Sequence, residues 1–460
     1  MTETQDYLEP VEELDIAGLD YSEKSVFMHR EDYWGTYIKN QDMENKHKLW
    51  QIPHTGGKQH TFQSLTDGQY DQTTQPCLSD PAIRELMLKN VRALLAANPD
   101  AQLISVSQND NYNKCECDKC LESYERYGSP AGINLELVNY IAEDIEDDYP
   151  NVLIHTFAYI YSLPAPIGII PHKNVIVQVC SLEQCFRHPL TAKCNEKNFA
   201  VHLQDWANIG AKMYIWDYTT NFSYSPMGMT NFNYEVLAGN MKLFADSNAM
   251  GIFAQGNHNV VAERGEFDRL RAYLLAKLLW DPYMSEEEYN AHIEKFMKGY
   301  YGEGWEDIKS VLNEWIETDK QCHHIFDTIS GRYMQFFGKT ITTDWVNTFT
   351  KVELLTETKT LFTNCDRNQL MFDLLEASVR FGTLSKSTNE ADRELAQKLC
   401  RNVQNKMLFY RVSYGNMNVI YPNMEYFDVN PAKWKELEAP DLIGSVSEAT
   451  VFVPTSPFWD

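Results

Sequence analysis

Positive charge is scarce in this chain, which has 40 lysines and arginines against 65 acidic residues and a formal net charge of −25. This balance argues against nucleic acid or an anionic membrane surface as a partner. The sequence also lacks any run of 18 apolar residues, so we expect no segment that spans a membrane. No signal peptide is visible at the polar, acidic start, and no internal repeat is present.

The chain has the length and composition of a large folded protein. Its 460 residues suffice for one barrel-sized domain and a smaller one, and 43% of them are hydrophobic. Aromatic residues make up 13%, more than packing requires, and tryptophan and tyrosine also suit surfaces that stack on sugars. Ten cysteines are too few for a disulfide scaffold.

Apolar stretches with strand character alternate with amphipathic helical stretches through the first two thirds of the chain, which predicts βα units and a parallel sheet. The predicted strands lie near residues 25, 60 and 70 and at 103–107, 152–159, 174–180, 212–216 and 250–254. Eight strands in about 250 residues favour an α/β fold of the (β/α)8 TIM-barrel type. A doubly wound sheet is less favoured, because no glycine-rich phosphate loop follows a strand.

The pattern changes after Asp281-Pro282, where helical stretches follow one another without strands between them. We therefore predict a lead-in segment at 1–24, a barrel at 25–285, an all-helical domain at 286–414 and an irregular tail at 415–460.

One stretch organises the predicted barrel. Ile104 begins a buried strand that delivers Gln108, Asn109 and Asp110 to its carboxyl end, where the chemistry of α/β folds is found. An Asn-Asp pair could instead merely cap a turn or a helix.

The ends of the other predicted strands carry similar side chains. The rim residues are Arg30, His60, Gln108, Asn109, Asp110, Tyr159, Glu183, Trp216, Asp217, Asn221, Gln255 and Asn257. Amides and arginine bind hydroxyl groups, aromatic faces stack on pyranose rings, and carboxylates perform acid–base work. The rim therefore predicts a carbohydrate site.

Several motifs occur together and in order: Ser105-Val106-Ser107-Gln108-Asn109-Asp110 with a C-x-C-x-x-C loop from Cys115, Cys180-Ser181-Leu182-Glu183, Trp216-Asp217-Tyr218 and Leu278-Leu279-Trp280-Asp281-Pro282. The sequence resembles the bacterial domain of unknown function 4838, placed in glycoside hydrolase family 163. The resemblance implies an exported endo-β-N-acetylglucosaminidase that acts on complex N-glycans. Where that family has Phe-Glu-Gln-Gly, this chain has Phe253-Ala254-Gln255-Gly256, which leaves a non-catalytic glycan-binding protein as an alternative.

The resemblance also implies catalytic roles. In substrate-assisted cleavage the acetamide oxygen of the substrate attacks the anomeric carbon, and we expect Asn109 to orient that acetamide and Asp110 to act as acid and base. Glu183 is the rival acid. Catalysis by two carboxylates, Glu183 and Asp217, is the ordinary alternative.

The cysteines predict no catalytic cofactor but allow a structural zinc ion. The candidate ligands are Cys115, Cys117 and Cys120 with one of Cys180, Cys185 or Cys194. A disulfide such as Cys185–Cys194 is equally allowed. A metal-dependent hydrolase or deacetylase is less favoured, because no histidine-rich set accompanies the thiols.

Overall fold

The computed structural model describes residues 22–194 except 35–36 and 38–39, and then 199–219, 233–256, 267–320 and 339–410 except for several positions between 357 and 385. The outer parts of the predicted lead-in and the whole of the predicted tail lie outside these residues, as do Asn221 and Asn257.

A single curled sheet of seven parallel strands forms the centre of the described chain. The strands are β1 (His29–Asp32), β2 (His54–Thr55), β3 (Leu103–Ser105), β4 (Leu153–Ala158), β5 (Val175–Cys180), β6 (Lys212–Tyr218) and β7 (Ala249–Gln255). Their order across the sheet is β1-β7-β6-β5-β4-β3-β2. Parallel strands with helical crossovers place the carboxyl ends of all the strands at the same end of the sheet.

The prediction of a closed eight-stranded barrel is wrong. Within the described residues, β1 and β2 form the two edges of the sheet and no strand lies near residue 70. Residues 66–75 instead make turns whose backbone carbonyls, at Asp71 and Thr74, accept hydrogen bonds from the side chain of Asn109. Because side chains satisfy this backbone, it needs no neighbouring strand. Side chains also bridge the open edges, since Lys58 pairs with Glu31 at 2.8 Å.

Twelve helices accompany the sheet in the described part of the chain. They are α1 (Gln41–Lys46), α2 (Phe62–Leu65), α3 (Pro81–Ala97), α4 (Asp118–Tyr127), α5 (Ala131–Ile145), α6 (Phe199–Asn208), α7 (Tyr234–Asp246), α8 (Asp268–Trp280), α9 (Glu286–Tyr301), α10 (Trp305–Asp319), α11 (Lys339–Glu353) and α12 (Glu390–Tyr410). Helix α3 begins as its sequence predicts: Asp80 caps it by accepting a 2.9 Å bond from the Ala82 N–H, and proline occupies the first position.

The two faces of the sheet carry different sets of side chains, because neighbouring residues in a strand point to opposite sides. On β6, Met213 and Ile215 pack in the large core between the sheet and its helices. The intervening Tyr214 and Trp216 point to the concave inner face, where they belong to two smaller clusters. Side chains within the strands can be assigned to one face by this rule.

The helices after residue 285 pack onto the same large core. Trp315 and Phe349 belong to one continuous cluster with the helix-facing side of the sheet, and the ring centroids of Phe267 and Phe349 are 6.3 Å apart. A separate helical domain at 286–414 therefore stays a prediction. No helix in the described ranges is both long and apolar enough to cross a membrane.

Candidate functional site

Aromatic side chains line the inner face at the carboxyl ends of the strands. Trp216 stacks on Tyr218 with ring centroids 5.5 Å apart and an interplanar angle of 7°, and Tyr218 stacks on Phe186 at 5.9 Å. Phe253 meets Trp216 edge-on at 4.8 Å. The Trp216 indole N–H donates a 2.8 Å bond to Gln255 Oε1, which fixes the ring. We call these residues, with Phe157 and Tyr159, the aromatic floor.

A chain of hydrogen bonds holds Asp110 beside this floor. His60 Nδ1 lies 3.0 Å from the Gln108 carbonyl oxygen, and because a carbonyl only accepts, Nδ1 carries the proton. Gln108 Nε2 donates to the Tyr159 carbonyl at 3.2 Å. The Tyr159 hydroxyl in turn donates to Asp110 Oδ1 at 2.9 Å. Burial and the nearby Asp110 carboxylate raise the pKa of Tyr159, so its proton stays in this bond.

Asp110 is the exposed end of this arrangement. Its own backbone N–H donates to Gln72 Oε1 at 3.0 Å, which fixes the loop that carries it. Its Oδ2 has no hydrogen-bond partner among the described residues. The site thus presents one free carboxylate oxygen at the edge of a cluster of aromatic rings that are each 1–8% exposed.

Asn109 lies on the other side of the same loop. Its side chain is fully buried, its Nδ2 donates to the Asp71 and Thr74 carbonyls at 2.9 Å each, and its Oδ1 accepts from the Gln63 N–H at 2.9 Å. The amide therefore has no donor left for a substrate. It positions the loop before α3, and the predicted role in orienting an acetamide has no support from this geometry.

A polar layer that the sequence analysis missed lies beneath the aromatic floor, around a cavity of about 40 Å³. His155 Nε2 is 2.7 Å from Gln178 Oε1 and its Nδ1 is 3.1 Å from Ser105 Oγ. Burial lowers the pKa of His155 to about 4, so the ring is neutral. Polar residues inside the apolar runs of β4 and β5 were the available signal, because such residues must face a partner.

Glu31 belongs to this lower layer. It is 3% exposed and pairs with Lys58 at 2.8 Å and with His29 at 3.3 Å. Burial alone would raise its pKa, but the hydrogen bond from His29 and the charge of Lys58 outweigh it and lower the pKa. Glu31 is therefore ionised in a site that sequence reasoning did not single out.

Two predicted rim residues face away from this site. The Arg30 guanidinium lies on the outer face of β1, donates to the Lys48 carbonyl at 2.8 Å and sits over the Trp280 ring at 5.3 Å. Asp217 lies between Trp216 and Tyr218, which point inward, so its side chain points outward. The structure therefore corrects the placement of both, and removes Asp217 from any two-carboxylate pair on the inner face.

Asp217 occupies an unusual environment on that outer face. It is 3% exposed, its Oδ1 accepts from Ser181 Oγ at 3.2 Å, and its Oδ2 has no partner in the described structure. Burial raises its pKa to about 7. In register across the sheet, Ala254 lies between Asp217 and Asp32, and burial raises the pKa of Asp32 as well.

The remaining predicted catalytic residue is Glu183, which is half-buried on the loop after β5. Its neighbours Leu182 and Gln184 are buried, and Leu182 packs in the aromatic floor cluster. The structure thus brings His60, Gln108, Asp110, Tyr159, Trp216 and Gln255 together, with Glu183 on an adjoining loop.

The cysteines form two groups. Cys77, Cys115, Cys117 and Cys120 have their sulfur atoms within 4.8 Å of one another, and Cys77 was not among the predicted ligands. A second group contains Cys185, His188 and Cys194, in which Cys185 Sγ is 3.3 Å from His188 Nδ1. None of these cysteines forms a disulfide in the described structure. Cys180 lies in neither group and is buried at the end of β5.

A family model described as "Domain of unknown function (DUF4838)" matches residues 6–313. The chain belongs to this family. The match covers the whole sheet, the aromatic floor and the four-cysteine group. The site described here is thus part of the DUF4838 domain itself.

Two solved structures are similar to this chain at low identity. One, titled "Structure of CpGH84B", has 11% identity and a TM-score of 0.35, with 70% of this chain and 57% of that protein covered. The other, a GH138 enzyme targeting pectin rhamnogalacturonan II, has 10% identity and a TM-score of 0.34, with 81% and 58% covered. The chain thus spans less than three fifths of either protein. Among curated proteins there is no match.

Proposed function

We propose that this chain is a glycoside hydrolase that acts on glycans containing N-acetylglucosamine, as an endo-β-N-acetylglucosaminidase on N-glycans. The observation that carries the proposal is the exposed Asp110 carboxylate, held by the Tyr159 hydroxyl at the edge of an aromatic floor. Aromatic faces bind pyranose rings and a carboxylate at their edge can transfer protons. The resemblance of the sequence motifs to glycoside hydrolase family 163 supports the substrate class.

In this proposal Asp110 is the acid that protonates the leaving oxygen and the base in the second step. The fixed Tyr159 hydroxyl holds one carboxylate oxygen and leaves the other for the substrate. The acetamide oxygen of the substrate attacks the anomeric carbon, so the enzyme needs no nucleophile of its own. The configuration is then retained after two displacements.

In this proposal Asn109 does not orient the acetamide, because both its amide donors bind backbone carbonyls. If Glu183 is the acid, Asp110 can accept the acetamide N–H instead, and the two carboxylates exchange roles. These arrangements differ in a measurable way, because only loss of the acid depends on how much protonation the leaving group needs.

The test is mass spectrometry of a complex N-glycoprotein incubated with the full chain. Release of glycans that leaves one N-acetylglucosamine on asparagine would establish both the class and the bond. Asp110→Asn should reduce release about 10²–10⁴-fold. Asp100→Asn is the matched control, because Asp100 is an exposed carboxylate just before the amino end of β3, whereas Asp110 follows its carboxyl end. Equal activity of the two variants would refute the role of Asp110.

Substrates with an activated phenol leaving group decide between the two carboxylates. Asp110→Ala should recover most of its activity on such substrates, because a good leaving group needs little protonation. Recovery in Glu183→Ala and not in Asp110→Ala would assign the acid to Glu183.

A second candidate function is glycan binding without cleavage, which the sequence left open because Ala254 stands where the related family has a glutamate. Ala254 is fully buried on the helix-facing side of β7, opposite the aromatic floor. An alanine in place of the family's glutamate therefore removes a carboxylate from the helix-facing side of the sheet, and Asp110 is unaffected. Binding of the released glycan without cleavage of the glycoprotein would support this second function.

A further inference from the structure

Four thiols converge where two loops meet beside Asp110. Cys77 lies on the loop before α3, Cys115 and Cys117 lie on the loop after β3, and Cys120 is in the first turn of α4. Their sulfur atoms all lie within 4.8 Å of one another. The Cys77 sulfur is 3.6 Å from that of Cys117 and 3.9 Å from that of Cys120.

These separations match a tetrahedral metal site. Four sulfurs at about 2.3 Å from a zinc ion are about 3.8 Å from one another. A disulfide would need a separation of about 2.05 Å. The spacing C-x-C-x-x-C at residues 115–120 supplies three of the sulfurs, and Cys77 supplies the fourth from 38 residues earlier in the chain.

We propose that Cys77, Cys115, Cys117 and Cys120 bind one zinc ion in a closed structural site. Thiolate sulfur is a soft ligand, and a tetrahedral set of four selects zinc or iron over harder cations. Because four thiolates fill all four positions, no position is left for a water or a substrate. The site is therefore structural, which also argues against the metal-dependent hydrolase that the sequence left open.

The surroundings of the sulfurs fit a ligand role. Ser79 Oγ lies 3.1 Å from the Cys77 sulfur and 3.5 Å from that of Cys120. The backbone N–H of Cys120 donates to the Cys117 sulfur. The Tyr124 hydroxyl donates to the Cys115 carbonyl at 2.8 Å. Such outer contacts orient ligands and stabilise negative sulfur.

A metal here would join the two loops that fix the Asp110 segment. Cys77 is two residues after Gln75, whose side chain binds both the N–H and the carbonyl of Asn109, at 3.1 and 2.7 Å. Cys115 is five residues after Asp110. The ion would thus close a loop of 44 residues, from Cys77 to Cys120, around this segment. The inference is independent of the proposed glycosidase activity, because its readouts are metal content and stability.

The test is elemental analysis of the full chain, produced without a polyhistidine tag. We expect about one zinc per chain, and a strong sulfur-to-cobalt charge-transfer band after exchange with cobalt(II). Cys77→Ser and Cys117→Ser should each lose the zinc to a mild chelator and melt at a lower temperature.

Cys365→Ser is the matched control. Cys365 is a buried cysteine outside the group, and its thiol donates to the Phe349 carbonyl at 3.7 Å. This variant should retain the zinc. If the other variants fail to fold, the zinc content and the cobalt spectrum of the unaltered chain decide.

Any of the following results would overturn the proposal. One is a zinc-free protein after expression with added zinc, with the four thiols reduced. Another is an intact mass that shows disulfides among these four cysteines. The third is iron in place of zinc, or zinc that is retained in the double variant of Cys77→Ser and Cys117→Ser.

Discussion

Asp217 makes the stability of this protein depend on pH in a direction opposite to that of most carboxylates. The group is 3% exposed and its pKa is raised to about 7, against about 3.9 in an unfolded chain. Between these values the folded state keeps a proton that the unfolded state releases. The free energy of unfolding should therefore fall as the pH rises from about 4 to 7, and level off above 7.

The magnitude follows from the two pKa values. One pKa unit corresponds to about 1.4 kcal/mol, so the raised pKa removes about 1.5 kcal/mol of stability at pH 5 and about 4 kcal/mol at pH 8. Asp217→Asn carries no proton to lose. Its Oδ1 can still accept the bond from Ser181 Oγ, and its amide nitrogen replaces an oxygen that already lacks a partner. Any fixed cost of the substitution is thus the same at both pH values.

Urea titrations at pH 5 and pH 8 measure the effect. Relative to the unaltered chain, Asp217→Asn should be more stable at pH 8 than at pH 5 by about 2–3 kcal/mol. The raised pKa of Asp32 is present in both proteins and cancels in the comparison. Asp100→Asn, on an exposed turn, should show no such difference. An Asp217→Asn variant whose relative stability is the same at both pH values would refute the reasoning.

Three further predictions concern the sheet and the site. Gly251→Ala should lower the free energy of unfolding by about 1–3 kcal/mol, since its new Cβ would meet side chains on β1 and β6 at 2.7 and 2.9 Å. Gly239→Ala in α7 should not, because its Cβ would meet nothing within 4 Å. Equal melting temperatures of the two variants would contradict this prediction. Ala254→Glu should lower the melting temperature more at pH 8 than at pH 5, because it adds a third buried carboxyl between Asp32 and Asp217. Ala254→Gln should show little pH dependence. Tyr159→Phe should reduce turnover about 10-fold or more by removing the donor to Asp110, and unchanged turnover would separate that bond from catalysis.

Much of the parallel sheet could be predicted because its strands are apolar and sharply bounded. The predicted strands at 152–159, 174–180 and 250–254 differ from β4, β5 and β7 by at most one residue at each end. The start of α3 could also be predicted, from Asp80-Pro81. Helix α4 was missed, since its sequence from Asp118 to Tyr127 is polar and follows a cysteine loop. Its formation depends on contacts that no local pattern reveals.

Closure of the sheet could not be read from the sequence, because it depends on where backbone groups find partners. The stretch at 66–75 has enough turn and polar residues for either a short strand with its exit or a loop. The structure has a loop there, and the Asn109 amide binds its Asp71 and Thr74 carbonyls. The same contacts take Asn109 away from the substrate side. One buried amide thus holds a loop where a strand was predicted, and the same bonds occupy the donors that its predicted catalytic role would need.

The role of a motif on a strand depends on the face of the sheet to which each side chain points. Trp216-Asp217-Tyr218 looks like three site residues in a row, yet a strand must send the middle one to the opposite side. Trp216 and Tyr218 stack on each other in the aromatic floor, and Asp217 lies buried behind it with a raised pKa. The same parity places Arg30 and Asp32 outside and Glu31 inside. Alternation along each strand, applied before residues are grouped by chemistry, would have moved Arg30 and Asp217 off the rim and brought Glu31 onto the inner face. It would not have moved Asp110, which lies beyond the end of β3, where loop contacts and not strand parity set the direction of the side chain.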